Sequence, residues 1–220
     1  MTDFISAIRM LEQFTYELML WMYFYPLTIL RVLINPGWAL SFVGTETGKN
    51  EEEAFQTAMR PVLLLVISLC IGLLLVPLRP EEAAILAKTS RLGKIVTEST
   101  LALIAYRTIV FAMFPIVGAI LYDLTTPGAV SRNSLRQPFY QQCYILAPFA
   151  LVISPCLVLL GRGNSWAIIG SVAIHIWMLS AQYVFFRRYA QFRVLIAAGA
   201  ALTVLLCGWG LMFASYFFMR

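Results

Sequence analysis

Three polar side chains interrupt otherwise apolar stretches of this sequence, and they are the residues best suited to chemistry. Arg107 lies within the stretch 99–122, and His175, the only histidine, lies within 163–186, where Gln182 follows it. Seven residues make about two helical turns, so His175 and Gln182 share one face of a helix. Arg107, His175 and Gln182 form the candidate polar site.

Arg107 is the residue whose charge would cost most in a membrane. An arginine near the middle of a membrane helix costs about 2.5 to 3.5 kcal/mol on insertion scales. One interpretation is a polar cavity at Arg107 that binds an anionic headgroup, a substrate or a partner's carboxylate. In the alternative interpretation, the side chain reaches the membrane surface or meets carbonyls freed by nearby prolines.

His175 has two interpretations as well. A proton relay or a ligand role is one, and a structural hydrogen bond to another helix is the other. The four cysteines (Cys70, Cys143, Cys156 and Cys207) have neither disulfide-framework nor metal-ligand spacing. We therefore predict no metal site and no cofactor.

Prolines inside three predicted helical segments suggest bends. Pro115 lies in 99–122, and Pro148 and Pro155 lie seven residues apart in 138–161, on about the same face. Each removes a backbone donor and favours a kink. Transporters use broken helices to build sites at the membrane midplane, but proline also occurs in plain kinks of membrane helices.

Recognisable catalytic motifs are absent from the sequence. It contains no Gly-rich phosphate loop, no HExxH, no GxSxG and no CxxC. It also lacks a pair of carboxylates inside its apolar segments that could act as acid and base. We predict no catalytic residues and a protein that is not an enzyme.

The composition defines the solvent that surrounds these residues. Of 220 residues, 60% are hydrophobic and only 12% are charged, whereas soluble domains are nearer half apolar and a quarter charged. The 16 lysines and arginines form no block, so the net charge of +5 indicates flanks of membrane helices and no nucleic-acid partner. Lipid surrounds most of the chain.

Five stretches approach the length of about 20 apolar residues that a helix needs to cross a membrane. They are 61–78, 99–122, 138–161, 163–186 and 194–219. The predicted fold is all-α, an integral membrane bundle of about five transmembrane helices in a domain covering 61–220. A short amphipathic surface helix is predicted over about 80–96, where proline and two glutamates begin the segment.

The segment 1–60 is predicted to form interfacial amphipathic helices followed by an acidic connector. Its apolar part, 14–43, is interrupted by Glu17, Pro26, Arg31 and Pro36, and is rich in aromatic residues. Such residues collect at headgroup depth, so we expect helices that lie on the membrane, with a full span as the alternative.

The distribution of basic residues predicts an orientation. With five spans, nine lysines and arginines lie on the side of the N-terminus and six on the other, and Arg187, Arg188 and Arg193 cluster in one short loop. The positive-inside rule then places the N-terminus in the cytoplasm and the C-terminus outside.

The organisation of the chain resembles the Yip family of small five-span membrane proteins, especially its short prokaryotic members. The similar features are Asn35 and Pro36 within 33–42, the acidic connector, Arg60 and Pro61 before the first span, and Tyr144 followed by Pro148. The resemblance implies five spans, a cytoplasmic N-terminus and a periplasmic or lumenal C-terminus. It implies a bacterial inner membrane, or alternatively an endomembrane.

Eukaryotic Yip relatives are linked to Rab-type GTPases and to vesicle traffic. This chain lacks their long hydrophilic N-terminal region and their Asp-Leu-Tyr-Gly-Pro motif, so GTPase binding is not implied here. The leading hypothesis is a non-catalytic subunit or organiser of a membrane complex, with lipids and other membrane proteins or a second copy as partners. The alternative is a small permease or lipid-binding protein that uses Arg107 and His175.

Overall fold

The computed structural model describes residues 2–50, 53–77, 79–89, 91–125 and 131–218, which contain helices and no strands. The predicted all-α bundle is confirmed. Some predicted features lie outside the described residues. They are the last residues of two predicted spans (78 and 219), part of the acidic connector (51–52) and Arg220. The helices are α1 Thr2–Ile34, α2 Pro36–Glu46, α3 Pro61–Leu75, α4 Pro80–Thr89, α5 Arg91–Glu98, α6 Thr100–Asp123, α7 Arg132–Gly161, α8 Trp166–Arg188 and α9 Val194–Phe218.

Five of the described helices are long and apolar enough to cross a membrane, but they are not quite the predicted five. Four lie in α6, α7, α8 and α9, and the fifth is Arg9–Ile34 within α1. The stretch predicted as 61–78 forms a helix of 15 residues, α3. At about 1.5 Å per residue it extends roughly 22 Å, short of a bilayer core of about 30 Å.

The N-terminal segment also differs from the expected series of interfacial helices. Residues predicted to be broken at Glu17, Pro26 and Arg31 form one helix of 33 residues. The break comes at Asn35, whose side chain accepts a hydrogen bond from the Trp38 N–H and thereby caps α2. The helix predicted over about 80–96 is present as two, α4 and α5.

Helix α7 lies at the centre of the bundle. Its neighbours α6 and α8 run antiparallel to it: Asp123 at the end of α6 accepts a hydrogen bond from Ser134 near the start of α7, and Gln182 near the end of α8 contacts Gln142. Helix α3 runs parallel to α7, since Tyr144 donates to the Met59 carbonyl just before α3, and Gly72 near the end of α3 packs against Ser154 further along α7. Helix α9 packs on α6 and α8.

The last third of α1 crosses the face of α7. Tyr25 hydrogen-bonds Ser68 of α3, and the Leu33 carbonyl accepts a hydrogen bond from Trp177 of α8. Helices α3 and α8 both pack on α7, and Tyr25 and Leu33 are only about 12 Å apart along the axis of α1. The end of α1 therefore covers one face of the bundle instead of running along it.

Two glycines permit unusually close packing around the core. A Cβ added to Gly208 of α9 would lie 2.1 Å from a ring carbon of Phe114, a fully buried side chain of α6. A Cβ on Gly72 of α3 would lie 3.2 Å from the carbonyl oxygen of Leu151. Pro155 leaves that carbonyl without its usual helical donor, so a hydrogen of Gly72 faces an oxygen that α7 does not itself use.

Candidate functional site

Arg107 lines a cavity of about 460 Å³ between α6, α7 and α9. It lies seven residues after the start of α6, which is about 10 Å along the axis and within the apolar part of the helix. Apart from Arg107, the wall consists of Tyr106, Val110, Phe111, Ser154, Leu157, Met212 and Phe213. The cavity is therefore mostly apolar, with a guanidinium and a hydroxyl on its wall.

Two polar side chains on this wall, those of Arg107 and Ser154, each have an enclosed atom without a hydrogen-bond partner. Nη1 of Arg107 and Oγ of Ser154 are the only fully enclosed side-chain nitrogen or oxygen atoms without a partner among the described residues. Nor does any described carboxylate form an ion pair with Arg107. Arg107 is half-buried, and leaving its enclosed Nη1 without an acceptor is costly in a low-dielectric medium. The cavity offers the space in which an acceptor could bind.

The cavity is reached from the lipid-facing side of the bundle. Phe213 and Leu157 lie on its wall and are themselves 58% and 37% exposed. Beside these residues, Tyr106 of α6 and Ser215 of α9 are joined by a hydrogen bond of 3.2 Å. The cavity is therefore open between helices on the outer surface of the bundle.

His175 does not line the Arg107 cavity. Its Nδ1 lies 2.7 Å from the carbonyl oxygen of Ser171, and its Nε2 lies 3.1 Å from Nε1 of Trp209 in α9. The indole N–H only donates and the carbonyl only accepts, so the proton is on Nδ1 and Nε2 is the acceptor. Both ring nitrogens are used, and the hydrogen bond to Trp209 joins α8 to α9.

Gln182 belongs to a third, separate contact. Its side-chain amide and that of Gln142 form two reciprocal hydrogen bonds of 2.6 and 3.0 Å, and both side chains are fully buried. Each amide satisfies the other across the α7–α8 contact. The structure thus places Arg107, His175 and Gln182 in three different environments, and only Arg107 faces a cavity.

The three prolines lie inside helices that continue past them. Pro115 is buried in α6, and Pro148 and Pro155 lie in α7, which runs unbroken from Arg132 to Gly161. Neither helix is interrupted to form a midplane site of the kind found in transporters. The freed carbonyl four residues before Pro155 faces Gly72, as described above.

Ser154 and Gln142 were not predicted from the sequence. Ser154 precedes Pro155 by one residue, and serine is too common in membrane helices to be singled out. Gln142 lies within the predicted span 138–161. An uncharged amide inside an apolar span was the signal in the sequence for a partner to Gln182. Among the described residues, no group of three or more His, Cys, Asp or Glu side chains is placed to hold a metal.

Arg162 and Glu82 form an ion pair at the end of the bundle where α7 finishes. Arg162 donates to both carboxylate oxygens of Glu82, at 2.7 and 2.9 Å, and to the Pro77 carbonyl at 2.7 Å. Hydrogen bonds from Arg162 and from the Arg79 N–H lower the pKa of Glu82 to about 2. This contact attaches the start of α4 to the end of α7 outside the apolar spans.

Comparisons with protein family models, curated proteins and solved structures gave no match. The resemblance to the Yip family therefore stays a prediction. The five long apolar helices establish an integral, multi-pass membrane protein.

Proposed function

We propose that this multi-pass membrane protein is non-catalytic and binds an anionic amphiphile, such as a lipid with a carboxylate or phosphate headgroup, in the cavity at Arg107. The observation that carries the proposal is that Arg107 and Ser154 line one cavity and that each has an enclosed polar atom, Nη1 and Oγ, without a partner. An anionic headgroup would accept hydrogen bonds from both groups and neutralise the buried charge.

The size and lining of the cavity support an amphiphile over a small inorganic ion. Its volume of about 460 Å³ lies within the range of roughly 300 to 1,000 Å³ of small-molecule sites. Val110, Phe111, Leu157, Met212 and Phe213 offer apolar surface to a hydrocarbon chain. An inorganic ion would leave that surface without a partner.

Native mass spectrometry of protein purified from its own membranes in mild detergent tests this proposal. We expect the wild type to retain an anionic amphiphile, Arg107→Leu to lose it, and Arg107→Lys to retain part of it because the charge remains. Arg193→Leu is the matched control, since Arg193 is exposed and lies outside the cavity.

A second variant separates ligand loss from misfolding. Leu157→Trp fills the cavity from a partly exposed position and leaves Arg107 in place, so it should also remove the ligand. A wild type without ligand, or an Arg107→Leu protein that retains as much as the wild type, would contradict the proposal.

A second candidate function is the organisation of a membrane complex through α1. Large apolar residues on its first two thirds are exposed, among them Leu11, Phe14, Met19 and Met22. Helix α1 packs mainly on α2 and α7, and its last third also hydrogen-bonds α3 and α8. This candidate predicts that crosslinks from photoreactive residues at Phe14 or Met22 capture a protein chain; capture of lipid alone would count against it.

The orientation belongs to the same proposal. Arg60, Arg136 and Arg188 lie at one end of the bundle, and Arg79 and Arg162 lie at the other. We place the first end in the cytoplasm by the positive-inside rule. A C-terminal alkaline phosphatase fusion should then be active in bacteria and a green fluorescent protein fusion dark; the reverse result would invert the assignment.

A further inference from the structure

A cavity of about 630 Å³ lies between α1 and the loop that precedes α3. One wall is a single face of α1, because Glu17, Trp21 and Phe24 follow each other at intervals of four and three residues. The other wall is formed by residues of the segment 54–60, with Leu63 of α3 beside them. The cavity is therefore bounded by a helix face that carries aromatic rings and by a loop.

Hydrogen bonds fix the loop wall in place. The Phe55 N–H donates to the carboxylate of Glu46 at 2.6 Å, and the Met59 N–H donates to the Thr28 hydroxyl of α1 at 3.2 Å. Phe55 has a φ of 62°, in the left-handed region that a residue other than glycine seldom adopts. Strained backbone of this kind clusters at ligand sites, where it preorganises the wall that the ligand meets.

Two charged side chains of opposite sign line the cavity, Glu17 from α1 and Arg60 from the loop. Both are exposed, and within the described part of the chain neither forms an ion pair. The acidic residues 51–53 adjoin the loop in sequence and add to the negative charge, whereas Arg136 has interactions of its own and does not line this cavity. A ligand must therefore satisfy an unpaired carboxylate as well as a guanidinium.

Aromatic rings lie on the cavity wall together with the carboxylate. Tyr16, Trp21 and Phe24 contribute from α1, and Phe55 contributes from the loop. The face of an aromatic ring attracts a cation, and an ammonium group also donates hydrogen bonds to a carboxylate. Arg60 suits a phosphate, with which a guanidinium forms paired hydrogen bonds. Tyrosine and tryptophan collect at headgroup depth in membrane proteins, which favours a lipid headgroup as the ligand.

We infer that this cavity binds the headgroup of a zwitterionic phospholipid with a primary ammonium group. The ammonium lies at Glu17 and the aromatic rings, and the phosphate lies at Arg60. A phosphoethanolamine headgroup carries this pair of charges, and Leu20 and Leu63 offer apolar contact to the start of the acyl chains. The inference does not rest on the proposed ligand of Arg107, whose cavity shares no residue with this one.

Native mass spectrometry of the purified full chain, titrated with lipids, tests this site. Phosphatidylethanolamine should bind about fivefold more tightly than phosphatidylcholine, whose quaternary ammonium has no N–H to donate to Glu17. Glu17→Gln should abolish this preference, whereas Glu12→Gln, exposed on the same helix outside the cavity, should keep it. Arg60→Gln should weaken the binding of both lipids, because it removes the partner of their phosphate.

A matched pair of tyrosines tests the aromatic wall. Tyr16 lines the cavity and is 62% exposed, and Tyr23 lies outside it and is 66% exposed. Tyr16→Leu should weaken the binding of both lipids, and Tyr23→Leu should not. Soluble phosphoethanolamine should fail to displace the lipid, and Arg107→Leu should leave this binding unchanged. Equal binding of the two lipids by the wild type, equal effects of Glu12→Gln and Glu17→Gln, or full displacement by soluble phosphoethanolamine would overturn the inference.

Discussion

The reciprocal amide pair of Gln142 and Gln182 gives a quantitative test of the contact between α7 and α8. Gln182→Met removes two interhelical hydrogen bonds and leaves the Gln142 amide buried without a partner. Such bonds average about 0.6 kcal/mol in membrane proteins and reach about 1.7, and an orphaned buried amide costs about 1 to 3. We expect each single variant, Gln182→Met and Gln142→Met, to lower the free energy of unfolding by about 1 to 3 kcal/mol.

Methionine suits this test because its unbranched side chain fits beside Gly118, where the Gln142 amide packs closely. The double variant orphans no amide, so it should cost clearly less than the sum of the singles, with a coupling of about 1 kcal/mol or more. Unfolding by sodium dodecyl sulfate in mixed micelles measures all four proteins, with Gln13→Met as an exposed control. Additive effects of the two substitutions would refute the pairing.

Three further substitutions test other contacts. Gly208→Ala should cost about 1 to 3 kcal/mol in the same unfolding assay, because its Cβ would overlap the Phe114 ring; an unchanged midpoint would contradict the packing. His175→Phe should leave the protein folded with its Arg107 ligand bound in native mass spectrometry, and selective ligand loss would show that the histidine acts on the site. The Glu82–Arg162 pair contributes stability that is complete above the usual carboxyl pKa of 4.5 and is lost as pH falls toward 2. Hydrogen-exchange protection in α4, corrected for the intrinsic exchange rate at each pH, should therefore fall below pH 4.5 in the wild type but show no such step in Glu82→Gln; identical profiles would exclude the pair as the cause.

The four C-terminal spans were predictable because hydropathy alone defines them. The N-terminal helix was not, because an average along the sequence cannot tell on which face a charge lies. Glu17 and Arg31 are exposed, and Arg31 lies 5.5 Å from the Trp38 ring. These charges interrupt the apolar window without interrupting the helix. Helix α3 ends at Leu75, before the end of the stretch 61–78 that was predicted as a span.

The cost of burying arginine identified Arg107 from the sequence, and the structure gives it a cavity. Residue spacing could not show whether Arg107, His175 and Gln182 share one site. Spacing along the sequence tells which face of its own helix a residue occupies, but not which helices pack on that face. Trp209 forms a hydrogen bond with His175, and Gln142 forms hydrogen bonds with Gln182. Both partners come from other helices, so only tertiary packing could reveal them.

Direct observation of the Arg107 cavity tests the central claim. A cryo-electron microscopy or crystal structure of the protein extracted from its own membranes should show elongated density in the cavity, with a headgroup within hydrogen-bond distance of Arg107 Nη1 and Ser154 Oγ. An empty cavity, or an Arg107 side chain paired with a carboxylate of the protein, would contradict the account.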